Sequence, residues 1–518
     1  MLGQASSPRE IPKVPAELLE RPVTRAAGIG HAHDVVGTKS AAAQAFYDQG
    51  LAYLHSYVWI EAARSFHQAL RADPSLAIAQ AQLSLAYTEL NAPPDARAAL
   101  EKARASAAKA NAHDRRHIEI RALQMAAEEH ARDASALTAY RAALDDALKA
   151  FPRDVEFWLL RGSAESPDPA DRGQGSVATS IRFYDKARAL APADDAPLHF
   201  LTHAYENSRR IDEASTLSAA YEKLAPNVPH AHHMRGHILL ERRRVVEAVA
   251  AFEIADRVER EYLRREKIPA EYEWHHEHNL DLLGASYASL GRMDDAERVL
   301  KEAFGLPTAL AVQAFNKRNY PALLTARGRV DEARAAAAVL IAHPSAFARV
   351  AGRIEDGRAL MAAHRLRESA DAVNAALREM QAAPVVAGFA SIPFALVQGE
   401  YFVRASQRAR GEPMIRQAVQ KLRTLTGPDA QMDTVFTLDA LTKAMRDAGD
   451  SELAEWLAEQ LKEVQRVQEV QKVQEVQEVQ EVQEVQEVQE VQKVREVREV
   501  QNPLNPLNLL NPLNLLAP

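Results

Sequence analysis

The segment that most constrains the fold runs from residue 43 to 74 and reads AQAFYDQGLAYLHSYVWIEAARSFHQALRADP. Phe46, Gly50 and Tyr53 are spaced four and three residues apart, so they share one face of a helix. Pro74 ends a second helix, because proline cannot continue the hydrogen-bond ladder and disfavours helix at the preceding residue. We interpret the segment as two short amphipathic helices joined by a tight turn. One such hairpin cannot bury its apolar face alone, so it needs similar neighbours.

The same residue types recur on a 34-residue register that starts at Ala43. Positions 4, 8, 11, 20, 24, 27 and 32 hold Phe46, Gly50, Tyr53, Ala62, Phe66, Ala69 and Pro74. This pattern resembles the tetratricopeptide repeat, in which small residues such as Gly50 and Ala62 let paired helices approach closely. Further units fit from residues 77, 155, 195, 229 and 277, with a longer hairpin over 111–152. Later units are predicted to place Ala333, Ala370, Ala418 and Ala454 at position 20. The resemblance implies an all-α, right-handed solenoid of about eleven antiparallel helical hairpins.

Composition narrows the class of function. The chain has 47% hydrophobic and 26% charged residues and a net charge of −8, with no basic stripe of the kind that binds nucleic acid. It contains no cysteine, which excludes disulfides and thiolate metal sites. No apolar run approaches the ~18 residues that a membrane span needs. Phosphate-loop, HExxH and GxSxG motifs are also absent, so the sequence predicts no catalytic residue.

Changes in composition predict five regions. Residues 1–40 form an irregular arm rich in Pro and Gly that is expected to pack on the first helix, and residues 41–310 form the regular solenoid. Residues 311–462 continue it as divergent hairpins. Residues 463–501 repeat Val-Gln-Glu with a period of three. This period builds no straight apolar face on a helix, so the tract is expected to be either a marginal helix or disordered. Residues 502–518 are Pro-Leu-Asn triplets, expected to be disordered. The arm has no apolar signal segment; we expect a cytoplasmic location as written, and export if the true start lies upstream.

Histidines concentrate in the central repeats. Nine of the 18 lie between residues 199 and 278. In the repeat family, positions 2, 5, 9, 12 and 13 of the first helix face the concave groove. The resemblance therefore predicts that His199, His203, His230, His233, His237, His278 and Asp281 face this groove. Three other histidines, His232, His275 and His276, fall off that face and are expected at packing or surface positions.

Paired histidines at i and i+4 share one helix face, as in many metal sites. We predict rows of His199, His233 and Asp281 at position 5 and of His203 and His237 at position 9. The predicted ligands of a divalent ion such as zinc are His199, His203, His230, His233, His237 and Asp281. Glu206 and Glu241 could add oxygen ligands or act as a base.

The leading functional hypothesis is a non-enzymatic scaffold that binds a peptide or protein segment in the concave groove. The groove residues predicted to contact it are His199, His203, Asn207, His233, His237 and His278. The alternatives are the metal or small-ligand site, which could be hydrolytic, and histidines with a structural role alone. The H-x3-H helix and the later PH and HMxxHI segments also resemble bacterial repeat proteins of unassigned function, whose last segment differs in some members at Arg235-Gly236.

Overall fold

The computed structural model describes residues 11–130, 133–165, 176–309, 311–425 and 427–465. All regular secondary structure in these ranges is helical, which confirms the all-α prediction. The chain divides into two units, Met1–Leu461 and Lys462–Pro518, and the account below concerns the first. The predictions for the Val-Gln-Glu tract beyond residue 465 and for the Pro-Leu-Asn triplets lie outside the described residues.

Helices follow one another along the whole described chain. Their bounds are α1 Ala16–Leu19, α2 Ala41–His55, α3 Trp59–Ala72, α4 Ala77–Glu89, α5 Pro93–Ser106, α6 Ala112–Glu129, α7 Ala134–Ala150, α8 Val155–Ser163, α9 Val177–Leu190, α10 Ala196–Asn207, α11 Ile211–Leu224, α12 Pro229–Glu241, α13 Val245–Glu266, α14 Trp274–Ser289, α15 Met293–Gly305, α16 Ala311–Asn316, α17 Asn319–Ala326, α18 Val330–Ile341, α19 Ala346–Ala362, α20 Leu366–Ala382, α21 Pro384–Arg404, α22 Arg408–Thr424 and α23 Pro428–Asp447. Residues 451–465 are also helical. From α2 onward, apart from α16, consecutive helices pair into eleven hairpins within the described ranges, the number that the register predicts.

Nine of these hairpins share one turn. In each, a residue with positive φ is followed five residues later by the small residue of position 20, as Tyr57 (φ 59°) is followed by Ala62. The residue after Tyr57, Val58, donates its N–H to the carbonyl of Tyr53 at 2.9 Å, the long bond of a Schellman cap. The positive-φ residues are Tyr57, Asn91, Arg209, Arg243, Gly291, Gly328, His364, Ser406 and Gly449.

This turn also fixes the register of the later hairpins. Ala333 and Ala454 lie five residues after a positive-φ residue, as predicted for position 20. Ala370 and Ala418 do not. Ser369 and Gly411 occupy position 20 in those hairpins, because each of their backbone N–H groups donates to the first carbonyl of its helix. The sequence prediction there was wrong, since a buried serine or glycine serves the close helix contact as well as alanine.

Small residues at position 8 allow the paired helices to touch, as predicted for the first hairpin. A Cβ atom built on Gly50 would lie 2.4 Å from a ring carbon of Phe66. The same contact recurs between Gly162 and Tyr184 at 2.3 Å and between Gly236 and Phe252 at 2.4 Å. Each aromatic ring therefore occupies the space that a methyl group would need.

The solenoid closes on its own first hairpin. Trp59 of α3 stacks on Trp274 of α14, with ring centroids 5.0 Å apart. Buried Arg64 forms an ion pair with partly exposed Glu266 at 2.8 Å. These partners lie more than 200 residues apart in the chain, so the hairpin α2–α3 packs inside the turn of the solenoid, against the repeats built from α10 to α14.

The N-terminal arm also contacts both the first hairpin and the central repeats. Asp34 and Gln44 tie it to α2, as the prediction of packing on the first helix required. The arm also reaches the central repeats, where Asn227 donates its backbone N–H to Gly28 at 2.7 Å. His31 donates its N–H to the Asp195 carboxylate at 2.6 Å. The arm therefore bridges the first and the central repeats.

One described helix, α21, is long and apolar enough to cross a membrane by length and composition. The sequence alone had predicted no membrane-spanning segment there. A buried core helix passes the same test, and Phe394, Leu396 and Val397 of α21 are buried within the solenoid.

The contact between Gly50 and Phe66 predicts a large effect of one methyl group. We expect Gly50→Ala to lower stability by about 1–3 kcal/mol, because an overpacked site must displace a fully buried ring. Gly388→Ala is the matched control, since Gly388 is exposed on α21 and nothing lies near its added methyl group. There alanine should leave stability equal or higher. Thermal unfolding followed by circular dichroism measures both, and equal midpoints for the two variants would contradict the contact.

Candidate metal centre

Three imidazoles converge beside the turn of the first hairpin. The Nε2 atoms of His203 and His230 lie 3.1 and 2.9 Å from Nε2 of His199. His199 donates its Nδ1–H to the backbone carbonyl of His55 at 2.6 Å, which leaves an unprotonated Nε2 facing the other two rings. Nδ1 of His230 is buried and has no hydrogen-bond partner among the described residues. These three residues form triad A.

A second triad of imidazoles lies next along the solenoid. It comprises His233, His237 and His278, whose ligand atoms all lie within 4.8 Å of one another. His233 donates its Nδ1–H to the side-chain oxygen of Asn279 at 3.0 Å, and its buried Nε2 meets no polar partner in the described parts of the chain. His237 places Nδ1 3.3 Å from a carboxylate oxygen of Glu206. These three residues form triad B.

Both triads follow the same rule of the repeat register. Each combines positions 5 and 9 of one first helix with position 2 of the next first helix. For triad A these helices are α10 and α12, and for triad B they are α12 and α14. The predicted rows along position 5 and position 9 are therefore replaced by groups that run diagonally between neighbouring helices. Position 2 of one first helix therefore lies level with positions 5 and 9 of the preceding first helix.

Five of the six predicted ligands, His199, His203, His230, His233 and His237, lie in the triads. The sixth, Asp281, joins neither group, and its carboxylate accepts a hydrogen bond from Asn319 at 3.0 Å. His278, predicted as a groove contact, takes the third place in triad B.

The predicted oxygen donors have other partners. Glu206 contacts His237 at Nδ1, the side of the ring that faces away from the triad if Nε2 is the ligand atom, and so orients that ring. Glu241 forms an ion pair with Arg209 at 2.7 Å. Asn207, a predicted groove contact, lies exposed at the end of α10.

Of the three histidines predicted off the groove face, His232 and His276 pack in the core. His232 contacts Glu222 at 2.8 Å, and His276 is 1% exposed. His275 differs from the expectation, because its ring lies 4.7 Å from that of His233 and 5.2 Å from that of His230. It therefore lies between the two triads. Its Nδ1 contacts Glu259 at 3.0 Å.

Burial keeps the triad imidazoles neutral. The pKa values of His199, His230, His233 and His278 all lie well below 6.5, first because burial disfavours the charged form and then because neighbouring imidazoles repel a second charge. Neutral imidazole is the form that binds a metal ion. These four imidazoles therefore need lose no proton before an ion binds at neutral pH.

Two carboxylates lie beside His275 and differ in charge. Burial alone would raise the pKa of Glu259, but His275 and His276 outweigh it and lower this pKa to about 2. Burial and the nearby Glu259 charge raise the pKa of Glu273 well above its usual range. Both side chains line a small pocket that also contacts His230.

The first hairpin covers this centre. The ring of Tyr57 lies 4.6 Å from His199 and 5.2 Å from His230, and Trp274 donates its indole N–H to the carbonyl of Tyr57 at 3.1 Å. Tyr221 donates a hydrogen bond to Ser56 at 3.0 Å. The concave face that the sequence predicted to be an open groove is filled at these repeats by the chain itself.

Comparisons with known proteins give matches among solved structures alone. A scan against protein-family models finds no match, and neither does a search of curated proteins. Among solved structures, the chain is similar to yeast Tom70 (11% identity, 81% of this chain and 93% of that chain, TM-score 0.36). It is also similar to the Rap protein complexed with competence and sporulation factor (10%, 77% and 100%, TM-score 0.40). The Cut9–Hcn1 hetero-tetramer of APC/C gives 12% identity, 79% and 78% coverage and a TM-score of 0.37.

At these identities the similarity extends to the fold alone. The eleven hairpins and their common register make this chain a helical-repeat protein with a tetratricopeptide-repeat-like solenoid fold. Solenoids of this class present extended surfaces that suit the binding of protein segments.

The cover over triad A predicts a difference in chemical reactivity. Diethyl pyrocarbonate should modify exposed His130 quickly and His199 slowly, because His199 is fully buried. Tyr57→Gly removes the covering ring at a position with φ 59°, where glycine is tolerated, and should speed modification of His199 and His230. Asn91→Gly is the matched control at the same turn position of the second hairpin. Mass spectrometry of the modified peptides measures the rates; a rate for His199 that Tyr57→Gly leaves unchanged would contradict the cover.

Proposed function

We propose that this protein binds divalent transition-metal ions at triads A and B, inside its helical-repeat scaffold. The convergence of three Nε2 atoms around His199 is the observation that carries this proposal. Tetrahedral bonds of 2.0–2.1 Å place donor atoms about 3.3–3.4 Å apart, close to the separations found in triad A. Imidazole nitrogens suit zinc, copper, nickel and iron, so nitrogen-only triads favour this group of ions over magnesium or calcium.

Hydrogen bonds on the far side of the rings support the same proposal. His199, His233 and His237 each use Nδ1 on a carbonyl, an amide oxygen or a carboxylate. Such bonds fix the tautomer and the direction of a ligating ring. Three protein ligands leave a fourth coordination position, and the small pocket lined by Glu259 and Glu273 would give a water molecule or a small ligand access to it.

Metal analysis of the purified full chain tests this function. After removal of metal with a chelator and addition of Zn²⁺, we expect about one ion retained per triad. A double variant with His199→Gln and His203→Gln should lose the ion of triad A. A double variant with His233→Gln and His237→Gln should lose the ion of triad B. His130→Gln, which changes an exposed histidine outside both triads, should lose none.

Circular dichroism checks that each double variant keeps its helix content. A double variant that loses helix is replaced by the corresponding single variants. Folded variants that retain the same zinc content as the parent protein would overturn the proposal.

We propose as a second function that the scaffold binds a protein or peptide segment along the remainder of its concave face. The observation favouring it is that this face already holds polypeptide backbone, since His199 and Trp274 donate to the carbonyls of His55 and Tyr57. Asn207 lies exposed at the open end of the same helix as His199 and His203. A partner segment would therefore contact the groove beyond the part that the first hairpin fills.

Photo-crosslinking distinguishes this surface from the outer one. A benzophenone side chain at Asn207 should give crosslinks to one defined protein in cell extract, identified by mass spectrometry, whereas the same group at exposed Glu213 on the second helix of the hairpin should not. Binding of that protein should then weaken on Asn207→Ala. Equal crosslinking from the two positions would contradict a groove-specific partner.

A further inference from the structure

Two histidines and two aspartates from three separate segments converge outside the histidine-rich repeats. They are Asp34 of the arm, His113 and His117 of α6, and Asp154, which caps the start of α8. One ligand atom from each residue lies within 4.8 Å of all the others. Because these residues are distant in the sequence and lie outside the 199–278 region, the sequence pattern gave no indication of the group.

The four donor atoms face a common point. Nε2 of His113 lies 2.9 Å from an oxygen of Asp154 and 3.2 Å from an oxygen of Asp34. Nε2 of His117 lies 2.8 Å from the same Asp154 oxygen. A single N–H cannot point well at two acceptors, whereas an ion between the four atoms would be shared by all of them. Donor separations of this size match tetrahedral coordination at bond lengths of about 2.0–2.2 Å.

Three of the four donor residues are also held by a further contact. His113 places Nδ1 3.0 Å from Asp114, whose other oxygen accepts the backbone N–H of Gly37 at 2.9 Å. Asp154 uses its second oxygen to accept the N–H of Phe157 at 3.1 Å. The His117 ring stacks on Phe157 at 4.0 Å. Support of this kind orients metal ligands and is found around functional sites.

Charge and burial also favour an ion. His117 is buried, as are the side chains of both aspartates of the group, Asp34 and Asp154. The supporting carboxylate of Asp114 is also buried. Buried carboxylates are costly unless positive charge compensates them. Burial would lower the pKa values of His113 and His117, but the neighbouring aspartates outweigh it and raise them, so without an ion these imidazoles carry protons. A divalent ion would replace these protons, and two imidazoles and two carboxylates would then form a nitrogen and oxygen donor set that suits zinc, manganese or iron.

We propose that Asp34, His113, His117 and Asp154 form a further site for a divalent first-row metal ion, which fastens the N-terminal arm to the solenoid. Asp34 is the ligand from the arm, and the other three belong to the third and fourth hairpins. The arm continues from this site to the central repeats, where His31 and Gly28 hydrogen-bond to Asp195 and Asn227. An ion at this site would thereby stabilise the contact between the arm and the repeat that carries triad A.

Hydrogen exchange of the full chain with and without three equivalents of Zn²⁺, enough for both triads and this site, tests the proposal, with Mg²⁺ as the comparison ion. We expect Zn²⁺ to slow exchange in the peptide covering residues 28–40. Asp34→Asn and Asp154→Asn should each abolish this protection and weaken zinc binding about 100-fold or more, since even outer-shell partners are worth 10–100-fold. Asparagine retains the helix cap at residue 154, so folding is preserved there.

Asp48→Asn is the matched control, because Asp48 holds the arm through His33 without joining the metal group. It should loosen the arm and weaken zinc binding far less than Asp34→Asn does, because all four ligands remain. The double variant with His199→Gln and His203→Gln should retain the zinc-dependent protection of residues 28–40. Loss of metal binding at the triads can therefore be distinguished from loss at this site. Zinc content and exchange that do not respond to Asp34→Asn or Asp154→Asn would overturn the proposal and leave an ion-pair network between protonated histidines and aspartates.

Discussion

The structure depends on one contact, in which the turn of the first hairpin is held inside the central repeats. His199 and Trp274 donate hydrogen bonds to the carbonyls of His55 and Tyr57, and Trp59 stacks on Trp274. Backbone carbonyls in an interior need such donors, because a buried polar group without a partner costs free energy. The same contact closes the solenoid, covers the histidines and removes them from water.

Removal from water explains why the histidines are chemically distinctive. In an open groove, each imidazole would hydrogen-bond to water at both nitrogens and titrate near pH 6.5. Beneath the first hairpin, burial lowers the pKa values of His230 and His233, and Nε2 of His233 is buried without a hydrogen-bond partner in the described residues. An uncompensated buried nitrogen costs about 1–3 kcal/mol. An ion at the proposed triad B would offset this cost at Nε2 of His233, which a purely structural role for that histidine would not.

The fold could be predicted from the sequence because each hairpin is local: Gly50, Ala62 and Phe66 fix one pair of helices without reference to the rest of the chain. The register also identified five residues of the two triads. It could not identify Tyr57, Trp274 or the arm as neighbours of these residues, because no periodicity relates segments 140–220 residues apart. The sequence did not predict the cluster of Asp34, His113, His117 and Asp154 for the same reason. The misplacement of Asp281 had a different cause, since the register gives the face of a side chain but not the level at which neighbouring first helices meet.

The repeat register also accounts for the number of triads. Each triad uses positions 5 and 9 of one first helix and position 2 of the next first helix. The triad therefore recurs wherever successive repeats carry histidine at those positions. The preceding first helix, α8, has Leu159 and Ser163 at positions 5 and 9, and α10 has Ala196 at position 2. At the other end, α14 has Asp281 and Ala285 at positions 5 and 9. The series is therefore bounded on both sides, and the part of the solenoid covered by the first hairpin is the part that carries it. Stacking of similar hairpins thus repeats a possible metal site as readily as it repeats a hydrophobic core.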